Sequence, residues 1–207
     1  ALINDLFGRG IAGTQTAALA FGGRNPGPIV NSSTSEAYNG TSWTATPALN
    51  NARRYLGGFG TQTAALGAGG YPPQVAVEVY NGSAWTNATA MSNSRATISA
   101  AGGIQTAGFF AGGAPNKALT EQYNGSTWTA GGNLNTGRNG AGGAGTLTAG
   151  IAFGGDTPSP QSSLTEFYNG STWTSGPTLV TAISNMVAGG TQTAALGFGG
   201  NTTPATG

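Results

Sequence analysis

"YNGTSW", Tyr38 to Trp43, returns almost letter for letter as YNGSAW from Tyr80, YNGSTW from Tyr123 and YNGSTW from Tyr168. A chain that spells one phrase four times is built from repeats, and the repeat must be read before any single motif. The phrase has a partner. GTQTAALAFGG (Gly13–Gly23) comes back as GTQTAALGAGG ending at Gly70, IQTAGFFAGG ending at Gly113, TLTAGIAFGG ending at Gly155 and GTQTAALGFGG ending at Gly200. The partner half therefore occurs five times against four for the YNG half.

Spacing shows where the repeat is rigid. Glu36 to Arg53, Glu78 to Arg95 and Glu121 to Arg138 are each 17 positions, and Glu166 plus 17 falls on Ile183. Apart from one extra residue between Arg95 and Gly113, length varies only between the double glycine and the Glu, over residues 24–35, 71–77, 114–120 and 156–165. ALINDL at the start aligns with ALNNAR (Ala48–Arg53), so one domain over 1–207 divides into units at about 1–47, 48–90, 91–133 and 134–178, with a half unit at 179–207.

Asn-Gly between short β-prone runs is a strong hairpin signal, because the turn needs positive φ and Asn and Gly tolerate it. A two-residue loop at Asn39-Gly40 would pair Tyr38 with Thr41 and set Glu36 opposite Trp43, with Glu36, Tyr38 and Trp43 on one face. Ala76–Tyr80 alternates as a strand does, TAALAFGG reads as a buried strand closed by glycines, and a glycine-rich strand precedes it. Four strands per unit and no helical periodicity predict an all-β chain, and four-stranded units of this length predict a β-propeller. The expected form is four full blades plus half of a fifth, the last incomplete or completed by another chain.

The double glycine, Glu-x-Tyr, the following Trp and the later Arg together resemble the kelch repeat over nearly the whole chain. The Thr/Gly-rich flavour of GTQTAAL and YNGTSW is similar to kelch-like repeats of phage and bacterial surface proteins. The resemblance implies a propeller but not a function, since such repeats serve partner-binding scaffolds and galactose-oxidase-like enzymes alike.

Composition removes several functions. With 7 basic and 6 acidic residues among 207, and a net charge of +1, no basic groove for nucleic acid can be assembled. His and Cys are absent, which removes the commonest general base and metal ligand, and every Ser–His or Cys–His pair. The copper, His and Cys–Tyr chemistry that the resemblance would suggest has no ligands here. No cofactor, no metal and no enzymatic activity are expected. No apolar run of about 18 residues is present, so no membrane span is expected. No signal peptide is visible, and the start at Ala1 rather than Met suggests a processed or excised chain.

Repetition within the chain sorts the remaining residues. Those present in every unit serve the blades: Glu36, Tyr38, Trp43 and Arg53; Glu78, Tyr80, Trp85 and Arg95; Glu121, Tyr123, Trp128 and Arg138; Glu166, Tyr168 and Trp173. The aromatic residues are expected to pack between blades. The Glu and Arg are expected to form a buried pair or to bind backbone, with Glu166 needing a different partner because Ile183 replaces the Arg. The NG-[ST] triplets at Asn39, Asn81, Asn124 and Asn169 match glycosylation sequons, although the turn alone explains them.

Non-repeating residues in the variable loops are the candidate ligand-binding set: Arg24, Asn25, Tyr71, Asn116, Lys117 and Asp156. A neutral, hydroxyl- and amide-rich surface suits a glycan or protein partner outside the cell, on a cell surface or on a virion. A homo-oligomer or filament formed by strand complementation of the half blade is the alternative.

Overall fold

A computed structural model describes residues 2–158 and 161–202, so part of the loop after Gly155 and the last five residues lie outside it. The chain is all-β and built of propeller-type blades. The first blade is β1 (Gly10–Thr14), β2 (Ala17–Phe21), β3 (Ser35–Tyr38) and β4 (Trp43–Thr46). The second is β5 (Gly57–Gly60), β6 (Ala65–Ala68), β7 (Val77–Tyr80) and β8 (Trp85–Ala88). The third is β9 (Ala100–Ile104), β10 (Ala107–Ala111), β11 (Thr120–Tyr123) and β12 (Trp128–Ala130). The fourth is β13 (Gly142–Thr146), β14 (Ala149–Phe153), β15 (Thr165–Tyr168) and β16 (Trp173–Ser175). Each is a four-stranded sheet in chain order, and β17 (Val187–Gly190) with β18 (Ala195–Phe198) makes a two-stranded fifth. The blades fall into two compact units: one holds the first two blades with 104–106 and 125–128, and the other holds the rest.

The hairpin register differs from the two-residue expectation. Tyr38 pairs directly with Trp43 and Glu36 with Ala45, and the same Tyr–Trp pairing recurs at Tyr80–Trp85 and Tyr168–Trp173. The loop is therefore four residues long. Its geometry comes from the Asn side chain: Asn39 Oδ1 accepts the backbone N–H groups of Thr41 and Ser42 at 3.0 and 2.9 Å, and Asn81 and Asn169 do the same in their hairpins. Only the Gly of each pair takes positive φ. The Asn amide is thus spent on the turn. Tyr38 and Trp43 still share a face, with ring centroids 5.1 Å apart.

The double glycine closes the second strand where the next blade's link passes. Gly22 and Gly23 have φ of 67° and 113°, and a Cβ on Gly22 would stand 2.7 Å from Arg53 O. Gly23 N–H donates to that same Arg53 carbonyl. Only a residue without a side chain satisfies both demands.

Each blade in which the contacts are described is anchored by a buried carboxylate on its third strand. Glu36 accepts from Ile3 N, Asn4 N and Asn4 Nδ2. Glu78 accepts from Asn50 N and Asn51 N, and Glu166 from Asn135 N and Thr136 N. An arginine completes each set: Arg9 with Glu36 at 3.3 Å, Arg53 with Glu78 at 3.2 Å, and Arg138 with Glu166. This corrects the expected partnering. The arginine serves the Glu that follows it in the chain, so Glu166 has its arginine. Ile183 stands where the pair of a fifth blade would begin. Arg9 was not expected at all. It stands three positions beyond Leu6, the residue aligned with Arg53, and reaches Glu36 from there.

Aromatic packing joins neighbouring blades inside each unit. In the first, Trp85 lies 4.8 Å from Phe21, and both belong to a core with Leu19, Leu49, Leu56, Ala65 and Tyr80. In the second, Trp173 and Tyr168 meet Phe109 at 5.8 and 5.6 Å, with Leu134 alongside. Such ring pairs contribute about 0.5–1.5 kcal/mol beyond the area they bury. The repeated Gln is a clamp. Gln62 Nε2 donates to Ala18 O and Tyr38 O of the blade before it, Gln105 to Ala65 O and Tyr80 O, and Gln192 to Gly150 O and Tyr168 O. Leu147 replaces Gln in the fourth blade and packs into the core instead.

Two stability predictions follow from the carboxylate knot. Arg53→Met leaves Glu78 buried and short of its cation, and is expected to cost about 3–5 kcal/mol in urea unfolding, whereas Arg53→Met with Glu78→Leu recovers most of it. Glu36 is pushed upward by burial, but the Asn4 side chain, the Arg9 charge and the two amides outweigh this and hold it below its ordinary 4.5. A lowered native value stabilises the fold above pH 4.5, and that stabilisation is lost as pH falls through the native value. Glu36→Gln should therefore be less stable at pH 7 and show a shallower loss of stability on acidification.

Candidate functional site

The residue after each double glycine makes a short antiparallel bridge with the residue after each arginine slot. Phe7 bridges Arg24, Arg54 bridges Tyr71, Asn139 bridges Asp156 and Ser184 bridges Asn201. The variable loops leave from these bridges. Three of the loops reach the next bridge through a side chain: Asn31 Nδ2 donates to Tyr71 O at 3.1 Å, Asn139 Nδ2 to Asn116 Oδ1, and Gln161 Nε2 to Ser184 Oγ at 3.1 Å. Loop ends of successive blades within a unit are thereby tied together.

In the first unit this tie assembles a cluster of cations and rings. Arg54 Nη1 donates to Asn31 Oδ1 at 2.7 Å while its guanidinium lies 4.2 Å over the ring of Tyr71, a residue that is 45% exposed. Arg24, bridged to Asn31, holds its guanidinium 5.4 Å over exposed Phe7. Among the described residues neither Arg24 nor Arg54 is in an ion pair, so both cations remain available beside aromatic surface. Asn25 is exposed in the same loop, its N–H donating to Val30 O.

Tyr55 is held beside this cluster by a strained backbone. Its φ is 56°, and the same left-handed conformation recurs at the equivalent place in every blade, at Gly8, Thr97, Gly140 and Asn185. The ring fits because Gly8 opposite has no side chain: a Cβ there would meet Tyr55 Cδ1 at 2.6 Å. Tyr55 N–H donates to Gly8 O, and Arg54 lies 5.7 Å from the Tyr55 ring.

The sequence-predicted loop residues thus divide between two places. Arg24, Asn25 and Tyr71 belong to the first unit, and Asn116, Lys117 and Asp156 to the second. There Asn116, with φ of 50°, accepts from Asn139, which in turn bridges Asp156. Lys117 N–H donates to Gly113 O. Asn31, Arg54, Tyr55 and Phe7 escaped sequence reasoning. Arg54 was hidden beside the repeating Arg53, and only its failure to repeat could have marked it.

No group of carboxylates, thiols or imidazoles among the described residues is arranged to hold a metal. The repeated Glu side chains are buried in their knots, and burial pushes the phenols of Tyr123 and Tyr168 up from 10.0, Gln122 and the Gly132 amide opposing it at Tyr168. Among the described residues no helix is long and apolar enough to cross a membrane. An apolar cavity is present elsewhere, in the second unit, lined by Ile151, Phe153, Leu179, Ile183, Met186 and Ala195. No protein-family model and no curated protein matches the chain.

Relief of backbone strain and loss of a side chain should nearly cancel at Tyr55. Tyr55→Gly is expected to change stability by no more than about 1 kcal/mol, whereas Tyr55→Val, β-branched at positive φ, should cost more than about 1 kcal/mol. Urea unfolding of the two variants distinguishes them.

Proposed function

We propose that this protein is a non-enzymatic binding module of the kelch-like propeller kind, acting outside the cell or on a virion surface, whose loop end in the first unit takes a glycan. The observation that carries the reading is the exposed Tyr71 ring with Arg54 stacked on it, and Asn31 donating to the Tyr71 backbone carbonyl and accepting from Arg54. A phenol ring offers an apolar face to the C–H surface of a sugar and a hydroxyl at its edge. Guanidinium and carboxamide groups supply hydrogen bonds to hydroxyls, and Arg binds carboxylate or sulfate in a bidentate manner. Arg24, Phe7 and Tyr55 extend the surface around that centre, and the buried knots beneath hold the loops rigidly enough to pre-organise it. The kelch likeness rests on the repeated double glycine, Glu-x-Tyr, Trp and Arg, and it adds the scaffold but not the ligand.

A glycan array followed by titration calorimetry tests this reading. The wild-type protein should bind a subset of glycans. Tyr71→Ala and Arg54→Ala should each weaken binding by about tenfold or more, a loss of about 1.4 kcal/mol or more, with the melting temperature unchanged. A blank array overturns the reading. So does binding that survives both substitutions, or that is lost with Asn116→Ala or Lys117→Ala instead.

A further inference from the structure

The same seven residues, TQTAALG, occupy 61–67 and 191–197, yet they meet opposite fates. In β6 every residue is buried, Leu66 completely, while in β18 Leu196 is 67% and Phe198 55% exposed. The β6 strand is flanked by β7, whereas β18 has only β17 among the described residues. The outer edge of β18 is an open row of backbone donors and acceptors.

Beside that edge lies the apolar cavity, and its lining follows the repeat position by position. Ile151, Phe153, Leu179, Met186 and Ala195 correspond in the alignment to Leu19, Phe21, Leu49, Leu56 and Ala65. In the first unit that set of five encloses Tyr80 and Trp85 of the following hairpin. The cavity has the Tyr–Trp socket of a blade, with no Tyr–Trp pair in it. One lining residue departs from the pattern. Ile183 replaces the arginine that elsewhere meets the hairpin's Glu, although the link amides that correspond to those binding Glu78 persist at Val180 and Thr181.

We infer that the fifth sheet is a docking site for a β-hairpin with the pattern neutral-x-Tyr-Asn-Gly-x-x-Trp. The hairpin adds its first strand to the edge of β18 as β7 adds to β6, a form of strand addition. Its Tyr and Trp fill the socket. The residue two before the Tyr is uncharged, because a carboxylate buried against Ile183 would have no cation to offset its desolvation. The inference concerns a different part of the molecule from the loop end, so either can fail alone.

Fluorescence polarisation with labelled peptides on the intact chain tests it. The probe is a peptide of Leu164–Gly176 carrying Glu166→Val. It should bind about tenfold more tightly than the same peptide with Glu166 retained. Adding Trp173→Ala to the probe should abolish binding. In the Ile183→Arg protein the preference should reverse, so that the peptide with Glu binds better. Absence of binding by the Val peptide overturns the inference, as does binding that ignores Trp173→Ala or an order of affinity that Ile183→Arg leaves unchanged. Should Ile183→Arg fail to fold by circular dichroism, the three peptides on the wild-type chain decide alone.

Discussion

A carboxylate buried on the third strand holds the rest of each described blade in place. Taking Glu78 out of water is costly, and the cost is offset only when Asn50 N–H, Asn51 N–H and Arg53 converge on it. That convergence fixes three things together: the link entering the blade, the outer hairpin that carries the Glu, and the strand beneath, whose Gly67 carbonyl accepts from the same arginine. Hydrogen bonds to a charged group contribute about 1.5–3 kcal/mol each, roughly twice a neutral one, so a few such bonds are large against the whole stability of a small domain. The low charge content of the chain is consistent with this arrangement, since six of its thirteen charges stand in the three described pairs.

The same constraint explains why the aromatic phrase is scaffold. Trp85 can pack on Phe21 only after the knot has set the hairpin, and Gln62 can reach Ala18 O and Tyr38 O only if the blade it clamps is in register. Knot, ring and clamp reinforce one another, the local consistency expected of a repeat whose units must each bury a face against a neighbour. Among the described residues no third strand lies beside β18, and there the same sequence that is core in β6 faces solvent. Propensity and hydrophobicity are equal at the two places; what differs is the covering, because residues at this repeat position pack on the following blade, as Leu19 and Phe109 do.

Much of the fold was legible because the chain writes it several times. Double glycines, alternating strands and Tyr–Trp hairpins were readable from Tyr38–Trp43, Gly13–Gly23 and their copies alone. The partner of each arginine was not. The constant spacing of 17 joins Glu36 to Arg53, whereas the true bond joins Arg53 to Glu78, across the variable loop where spacing carries no signal. Arg9 was missed for a related reason: it does its work from a shifted position that the alignment assigns to Leu56. The hairpin register was misread by treating Asn-Gly as a complete turn, when the Asn39 carboxamide holds two further residues in the loop. At the loop end, Tyr71 was visible as a non-repeating aromatic residue. Arg54, Asn31 and Tyr55 became a cluster only through tertiary contacts within and between blades, which no periodicity encodes.

Hydrogen exchange resolved by residue would test the central claim that the third-strand knot, not the local sequence, makes a blade stable. The two TQTAALG copies serve as internal controls for each other, as do the link amides of Asn50 and Asn51 against those of Val180 and Thr181. The account predicts that Leu66, Asn50 and Asn51 exchange only through global unfolding, while Leu196, Val180 and Thr181 exchange orders of magnitude faster through local opening. Equal protection of the two copies, with the link amides of both equally slow, would contradict it.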